Sequence, residues 1–486
     1  MTASPLPEGD RAIPLVVDLD GTLIRTDMLQ ESMLCRLRAT PLSVLRWPFW
    51  LLRGRAYLKQ RLAEDYAFDP AVLPYNGPLL QWLQTQRRAG RRLVLCTASD
   101  QTQARAIADH LGLFDEVMAS DGVTNLRAEA KAAALVERFG VRGFDYAGNS
   151  ADDLAVWQQS RRAIVVNASA RVLRRARQQF DVKPVFERQR PGPRTWVRAL
   201  RLQRWVINAL LFVPLLAAQQ WHDSAGWLNT LLGFVAFGLC ASSAYLANDL
   251  LDLESDRHHP RKRQRPLAAG TLSIPAALLA TPLLLAAGAA VAWQAGSGFT
   301  LWLGLYFALN CAYTFGLKRL ILVDCLTLAV LNMLRILAGA VAAQVPVSFW
   351  ALTFGGALFL SLALLKRYAE LPVQQADGRE QARGRGYLSS DAPLLRSLGV
   401  TAGYMAVLVL ALYLHSDDGN PLYPSPNVLT LTLPIVVYWV SWLWLCATRG
   451  RMHDDPLLFA VKDRASLVAG ALFALVVAAA STAWPW

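Results

Sequence analysis

The chain has 486 residues, of which 54% are hydrophobic, and its formal net charge is +13. After about residue 200, apolar runs of about 20 residues dominate, each long enough to cross a bilayer, and this pattern argues against a wholly soluble protein. The positive charge does not indicate nucleic-acid binding, because the sequence contains no nucleic-acid motif and many of the bases cluster in loops between the apolar runs.

Up to about residue 200 the sequence predicts a soluble α/β domain. A buried strand ends in Asp18-Leu19-Asp20, so two carboxylates follow it in a tight turn. Because open α/β sheets place their chemistry at the carboxyl ends of parallel strands, this turn is a candidate site. The predicted elements are strands over 13–17, over 92–100, before Gly148 and over 163–167, and a helix over 129–140.

Four motifs in order resemble those of the haloacid dehalogenase superfamily of phosphatases, over about residues 12–180. They are DLDGT, the strand-end Thr97, the helix-borne Lys131 and the loop Gly148-Asn149-Ser150-Ala151-Asp152-Asp153. The resemblance implies a Rossmann-like fold and phosphoryl transfer. Asp18 would attack phosphorus, Asp20 would act as general acid and base, Thr97 and Lys131 would bind the phosphoryl oxygens, and Asn149 and Asp153, with Asp18 and the Asp20 carbonyl, would hold Mg²⁺.

Asn149 departs from that family pattern, which usually has an aspartate at this position. An amide oxygen can still bind a metal, but it carries no charge, so the affinity for Mg²⁺ is expected to fall. A degenerate or regulatory domain therefore stays open beside an active phosphatase.

Residues 27–90 lie between the first two motifs and predict helices, which by resemblance form a cap over the phosphatase site. Trp47, Phe49 and Trp50 have two interpretations. They pack as the core of the cap, or they lie with nearby bases at the bilayer interface and admit a lipid-borne substrate. Residues 181–204 are predicted as a basic juxtamembrane linker, and 205–486 as the membrane domain.

Nine apolar segments predict an all-α membrane domain of nine transmembrane helices. Lysines and arginines occur after every second segment and are absent from the loops between, so the charged loops and the N-terminal domain are predicted to be cytoplasmic and the C-terminus outside. The expected location is the inner membrane. The segments are about 205–220, 227–247, 272–293, 298–316, 320–342, 348–366, 394–414, 427–447 and 466–484.

The segment after the second apolar run carries Asn248, Asp249, Asp252 and Asp256, whose spacing places them on one helical face over two turns. Three carboxylates this close repel one another unless a cation holds them. Mg²⁺ bridging to a diphosphate is the natural choice, because it prefers oxygen ligands.

This motif and the many apolar segments resemble the UbiA-type intramembrane prenyltransferase superfamily, over about residues 195–484. In that family the Asp-rich motif holds Mg²⁺ and a diphosphate between helices. A second Asp-rich motif is usual after the sixth helix, but here Glu370, Asp377 and Glu380 have a different spacing. Four bases outnumber these acids, namely Lys366, Arg367, Arg383 and Arg385.

Several stretches are similar to the decaprenyl-phosphate phosphoribosyltransferases of that superfamily, including DRHHPRKRQRPLAAG, YTFGLK, NMLRILAGAV and KRYAEL. The resemblance implies that 5-phosphoribosyl diphosphate and a polyprenyl phosphate are the substrates. Asn208 lies in an entrance segment where Ile207 replaces a usual lysine. Asn208 and Asn248 are further implied substrate ligands. The bases Lys262, Arg265, Lys366 and Arg367 would bind the 5-phosphate and the lipid phosphate, and Tyr368, Glu370 and Tyr387 would orient the ribose hydroxyls.

The two halves together predict one bifunctional enzyme, which makes a lipid-linked 5-phosphoribose and removes its 5-phosphate on the route to lipid-linked D-arabinofuranose. Two alternatives stay open. The first is an aromatic polyprenyltransferase of the quinone type with a separate or regulatory phosphatase domain. The second is a membrane scaffold or lipid-phosphate binder with an inactive phosphatase.

Overall fold

The computed structural model describes residues 11–64, 66, 68–188, 190–376, 386–416, 423–452 and 455–482. These residues form two compact units. The first joins the described residues up to Leu200 with Ser243–Pro282, and the second joins Arg201–Ser242 with the described residues from Leu283 onward. The Asp-rich segment therefore belongs to the same unit as the α/β domain.

A six-stranded sheet with the order β3-β2-β1-β4-β5-β6 forms the centre of the first unit, and all its pairings are parallel. The strand order reverses beside β1, and such switch points are where open α/β sheets bind ligands. The strands are β1 (Leu15–Val17), β2 (Leu93–Asp100), β3 (Glu116–Ser120), β4 (Asp145–Gly148), β5 (Ala163–Val166) and β6 (Val182–Phe186).

Helices cover both faces of this sheet because the central strands are apolar on both sides. Leu15 and Val17 pack into one buried cluster and Val16 into another on the opposite face, as the alternation of a strand requires. The helices are α1 (Met28–Ala39), α2 (Trp47–Leu52), α3 (Arg55–Glu64), α4 (Gly77–Arg88), α5 (Gln101–Leu111), α6 (Glu129–Phe139), α7 (Leu154–Gln159), α8 (Ala170–Gln179) and α9 (Pro193–Ala199).

The segment between β1 and β2 is helical, as predicted for a cap. The first helix, α1, begins after Asp27, whose side chain caps it by accepting the Gln30 N–H. Trp47 and Trp50 are half-buried, whereas the side chain of Phe49 is 69% exposed. Placing Phe49 in the core of the cap is therefore wrong.

Strands β3 and β6 are absent from the sequence prediction. Both lie at the edges of the sheet, and most of their residues are only half-buried. Strand β6 falls inside residues 181–204, which are predicted to be a linker. The beginning of this basic stretch therefore belongs to the sheet, and the rest leads to the apolar segments.

Six helices are long and apolar enough to cross a membrane among the described residues, or seven if the bent pair Pro193–Ala199 and Leu202–Ala217 is one span. The nine predicted spans are therefore not confirmed. The first predicted segment forms a 3₁₀ helix, Leu202–Phe212, followed by a short α-helix, and the last forms a helix of only 17 residues. The helices are α10 (Val213–Ala217), α11 (Ser224–Leu251), α12 (Leu253–His258), α13 (Ile274–Gln294), α14 (Ser297–Phe315), α15 (Val323–Ala342), α16 (Phe349–Ala376), α17 (Ala392–Leu414), α18 (Thr432–Thr448), α19 (Pro456–Ala460) and α20 (Arg464–Ala480).

Candidate functional sites

The phosphatase motifs meet at the carboxyl edge of the sheet. Asp18 follows β1, Thr97 lies on β2 and Asn149 follows β4, so three neighbouring strands supply the site. Lys131, in the first turn of α6, reaches it from the side, and its Nζ lies 2.7 Å from Asp18 Oδ1. Both side chains of this ion pair are buried.

Carboxylates crowd around that ion pair. Burial raises the pKa of Asp18, and the charges of Asp153 and Asp20 raise it further, while Lys131 opposes them. Burial alone would lower the pKa of Lys131, but the charges of Asp18 and Asp153 raise it. The site therefore holds more negative than positive charge, and an added cation would stabilise it.

Three hydrogen-bond donors hold the Asp20 carboxylate in place. Its Oδ1 accepts the Met28 N–H at 2.8 Å, and its Oδ2 accepts the Ser99 hydroxyl at 2.5 Å, with Thr97 Oγ1 at 3.4 Å. Burial, with a smaller effect from the charge of Asp27, raises the pKa of Asp20 to about 6, although Ser99 works against this. A carboxyl with this pKa can both give and take a proton near neutral pH.

The loop after β4 wraps around Asp153. Its Oδ2 accepts the N–H groups of Asn149 and Ser150 and the Ser150 hydroxyl, and its Oδ1 accepts the Tyr146 hydroxyl at 2.8 Å. The Asn149 amide donates to the Asp20 carbonyl at 3.2 Å. Two predicted metal ligands are thus joined directly by a hydrogen bond.

The predicted Mg²⁺ ligands of this site are all oxygens, which is the donor set of a hard cation. Among the described residues, no group of three His, Cys, Asp or Glu side chains is placed to hold a metal ion. The donor chemistry and the surplus of negative charge fit Mg²⁺, with Asp18, the Asp20 carbonyl, Asn149 and Asp153 as its holders.

The Asp-rich segment also lies in the first unit, but it is not one continuous helix. Asn248 and Asp249 occupy the last turn of α11, which ends at Leu251. Asp252 lies between the two helices, and Asp256 lies on α12. The predicted single helical face is therefore interrupted at Asp252, whose side chain is 42% exposed.

One cation already bridges two of these acids. Arg265 Nη1 lies 3.1 Å from Asp249 Oδ1 and 2.5 Å from Asp256 Oδ2. The other oxygen of Asp256 is buried without a hydrogen bond, and the ammonium of Lys262 is 3.9 Å away. These two carboxylates thus share the Arg265 cation, whereas Asp252 Oδ1 lies 3.7 Å from Arg38 Nη2.

Arg257 ties the Asp-rich segment to helix α1. Its two terminal nitrogens donate to the two oxygens of Glu31 at 2.9 and 2.7 Å, and its Nε donates to the Ala268 carbonyl. Both charged side chains are at most 3% exposed. Glu31 also accepts the Thr26 hydroxyl at 2.5 Å, so the contact leads back toward the turn that carries Asp20.

The second unit contains a separate buried cluster around Arg367. Its guanidinium donates to Asp324 at 2.5 Å, to Glu370 at 2.8 Å and to the Tyr313 hydroxyl at 2.7 Å. The Tyr387 hydroxyl donates to the other oxygen of Asp324 at 2.5 Å. This arrangement brings together three predicted ligands, Arg367, Glu370 and Tyr387.

The other predicted ligands of the second unit lie apart from that cluster. Lys366 Nζ is 2.6 Å from Asp455, which is held at the start of α19. Asn208 is buried and accepts the Arg335 Nε at 3.1 Å. Tyr368 packs against Trp444, with 5.8 Å between ring centroids. The predictions for Asp377, Glu380, Arg383 and Arg385 concern residues outside the part of the chain that the structure describes.

Some contributors to these sites were not selected from the sequence. Asp324 could have been noticed, because an acid inside an apolar segment is rarely without a function. Ser99 and Glu31 carry no such signal, since each acts through a contact with a residue far away in the chain.

Comparison with known proteins decides the family. The UbiA prenyltransferase family model matches residues 206–462, which is more than half of the chain. The chain belongs to the UbiA prenyltransferase family. The model of the haloacid dehalogenase-like hydrolases matches residues 15–157, so this UbiA-family protein carries an N-terminal hydrolase domain. With its apolar helices, it is a multi-pass membrane protein.

Two relatives and one solved structure illustrate these similarities. The Sinorhizobium fredii protein named "Uncharacterized protein y4nM" is 37% identical over 468 residues, covering 96% of this chain and 90% of the relative. The decaprenyl-phosphate phosphoribosyltransferase of Mycobacterium tuberculosis is 32% identical over 290 residues, covering 58% of this chain and 93% of the relative. A UbiA homologue from Archaeoglobus fulgidus, solved with GPP and Mg²⁺, has a TM-score of 0.46 and 16% identity, covering 59% of this chain and 99% of that one.

Proposed function

We propose that this protein is a bifunctional membrane enzyme. Its membrane domain transfers 5-phosphoribose from 5-phosphoribosyl diphosphate to a polyprenyl phosphate. Its hydrolase domain then removes the 5-phosphate, which prepares lipid-linked ribose for conversion to lipid-linked D-arabinofuranose. The similarity to the mycobacterial phosphoribosyltransferase, over 93% of that relative's length, carries the proposal.

In the transfer step, an oxygen of the lipid phosphate attacks C1 of the ribose while the bond from C1 to the diphosphate breaks. Mg²⁺ held by Asp249 and Asp256 would neutralise the departing diphosphate. Arg265, which bridges these two acids, would donate to phosphate oxygens of the substrates. Lys366 and Arg367 would act on the remaining phosphates, and Glu370 and Tyr387 on the ribose hydroxyls.

In the hydrolysis step, the Asp18 carboxylate attacks the phosphorus of the 5-phosphate, and Asp20 gives its proton to the departing ribose oxygen. Asp20 then takes a proton from the water that cleaves the aspartyl-phosphate. The raised pKa of Asp20 supports this double role. Lys131 and Thr97 would bind the phosphoryl oxygens, and Mg²⁺ would offset their negative charge.

One chain carrying both domains supports the sequence of the two steps. A tethered hydrolase domain meets the lipid product at a high effective concentration, about millimolar for short flexible tethers. The 5-phosphate left by the first reaction is a phosphomonoester, the class of substrate that the second site is equipped to hydrolyse.

The test uses purified full-length protein in lipid nanodiscs with Mg²⁺, 5-phosphoribosyl diphosphate and a polyprenyl phosphate. Mass spectrometry of the extracted lipids is expected to find a lipid-linked pentose without a second phosphate. A reaction without any lipid-linked pentose would contradict the proposal. Parallel incubation with a polyprenyl diphosphate and 4-hydroxybenzoate examines the quinone-type alternative, which predicts a prenylated aromatic product instead.

A further inference from the structure

The cap carries an exposed apolar surface that the reactions above do not use. It covers residues 41–53, a 3₁₀ helix followed by α2, and we call it the cap apolar surface. Leu42 and Leu52 are 81% and 85% exposed, and Leu45 and Phe49 are each 69% exposed. Four large apolar side chains within eleven residues are too many to be scattered surface residues of a soluble domain.

The sequence of this region carries charge of one sign. No aspartate or glutamate occurs between Glu31 and Glu64, whereas seven lysines and arginines do. Arg38 contacts Asp252, Arg61 contacts Glu64 and Lys59 donates to the Ala98 carbonyl, whereas Arg46, Arg53 and Arg55 are exposed in or next to the surface. Exposed apolar side chains with exposed bases beside them match an anionic lipid surface, where burial and headgroup attraction add.

The position of the cap apolar surface points to the same partner. Helix α1 ends at Ala39, directly before this surface, and Ala39 lines a cavity of about 320 Å³ together with Leu250 and Leu251. Those two leucines are the last residues of α11, a helix long and apolar enough to span a membrane. The cap apolar surface therefore begins next to the end of a candidate membrane span.

We propose that the cap apolar surface inserts into the headgroup layer of an anionic bilayer. Leu45, Phe49 and Leu52 enter the apolar boundary, and Arg46 and Arg53 contact lipid phosphates. Such insertion would hold the cap of the hydrolase domain at the level where a lipid-linked phosphomonoester is found. The insertion itself does not depend on the proposed function, and its consequence for hydrolysis rests on it.

The first experiment measures how deeply a spin label on the cap apolar surface lies in a lipid bilayer. Full-length Phe49→Cys protein is spin-labelled and placed in nanodiscs of phosphatidylcholine and phosphatidylglycerol, with wild-type protein giving the background from native cysteines. The label at position 49 is expected to be relaxed more by oxygen than by a water-soluble nickel chelate. A label at position 141, from Val141→Cys, is the control, because Val141 is 65% exposed on the α/β core and is expected to show the reverse.

Two results of that experiment would overturn the proposal. Equal aqueous accessibility at positions 49 and 141 would mean that the surface faces water. Low accessibility to both relaxants at position 49 would mean that protein covers it, from a second copy or another partner. Without phosphatidylglycerol, the label at position 49 is expected to lie less deeply in the bilayer. An unchanged depth would contradict the proposed attraction of Arg46 and Arg53 to anionic lipids.

The second experiment measures how insertion of the cap apolar surface affects hydrolysis of a membrane-embedded substrate. The variant Leu45→Glu/Phe49→Glu/Leu52→Glu is expected to hydrolyse a nanodisc-embedded lipid phosphomonoester about tenfold more slowly, since burial of even one such side chain is worth at least that factor. Hydrolysis of soluble p-nitrophenyl phosphate is expected to stay unchanged, as are both rates in the control Val123→Glu/Val141→Glu. Equal losses on the two substrates would contradict the docking role, whereas no activity of the wild type on either would contradict only the phosphatase assignment.

Discussion

Asn149 shows how one atom can alter a metal site. Its amide nitrogen donates to the Asp20 carbonyl at 3.2 Å, where an aspartate would bring two oxygens together. Gly21 makes this approach possible, because a Cβ at that position would lie 2.0 Å from the amide nitrogen. The hydrogen bond thus joins two predicted ligands, and the neutral amide brings one negative charge fewer to the predicted metal site than an aspartate would.

Asn149→Asp is expected to tighten Mg²⁺ binding by about tenfold or more, because an added unit charge close to the ion is worth roughly 1–4 kcal/mol. The Mg²⁺ dependence of p-nitrophenyl phosphate hydrolysis measures this, together with calorimetric titration of Mg²⁺.

Asn167→Asp is the matched control for that change. The Asn167 amide also donates to a carbonyl of the same turn, that of Gly21 at 3.0 Å, but it is not a predicted ligand. We expect this variant to tighten Mg²⁺ binding less than Asn149→Asp does, because its charge would not contact the ion. Equal tightening in both variants would mean that added charge acts from anywhere in the site, and that Asn149 is not a ligand.

At the scale of elements, the contact between α1 and α12 depends on a buried ion pair. Arg257→Ala would leave the Glu31 carboxylate buried without its partner, at a cost of about 3–5 kcal/mol. The unfolding temperature of the full-length protein in detergent is expected to fall accordingly. It is expected to fall less for Arg257→Lys, which keeps the charge but cannot make the bidentate contact.

The neighbouring pair of His258 and Asp69 provides the control for Arg257. It joins α12 to the segment around Asp69 rather than to α1, but its side chains are 37% and 46% exposed, and exposed pairs contribute about 0–1 kcal/mol. His258→Ala is expected to change the unfolding temperature little. A shift as large as that of Arg257→Ala would show that burial of the Glu31 pair is not what stabilises this contact.

The strands that the sequence predicts are those with the most burial. Nearly every residue of β1, β2, β4 and β5 is buried, and β1, β5 and the first half of β2 are apolar runs. β3 and β6 lie at the sheet edges, so each has a half-exposed side and mixes charged with apolar residues. A lone sequence gives little sign of such strands, because their hydrogen-bonded neighbour is what makes them strands.

The sequence predicts the residues of the phosphatase site but not the long-range contacts around it. Asp18, Asp20, Thr97 and Asn149 follow from motif order along the chain. The Glu31–Arg257 contact does not, because its partners are 226 residues apart and neither lies in the phosphatase motifs. The break of the Asp-rich helix at Asp252 also could not be foreseen, since its residues keep helical spacing on both sides.

For the whole molecule, the proposal requires that the two activities be separable. Asp18→Asn is expected to reduce hydrolysis by about a thousandfold or more, the usual effect of removing a nucleophile, so that the lipid product keeps its 5-phosphate. Asp249→Asn is expected to abolish transfer while hydrolysis of p-nitrophenyl phosphate continues. Lipid mass spectrometry and the phosphatase assay measure both.

Each of these variants also controls for the other. If Asp18→Asn still gave the dephosphorylated lipid, the assignment of the hydrolase domain to this step would be wrong. If Asp249→Asn removed both activities, the domains would depend on each other for folding rather than acting in sequence.

The separation of 226 positions between Glu31 and Arg257 also imposes an order on biogenesis. At roughly 5–20 residues per second, the ribosome needs about 10–50 s to make Arg257 after Glu31. During that time Glu31 has the Thr26 hydroxyl within reach but not its arginine partner. This ion pair of the hydrolase domain can form only after the whole of α11, a candidate membrane span, has been synthesised.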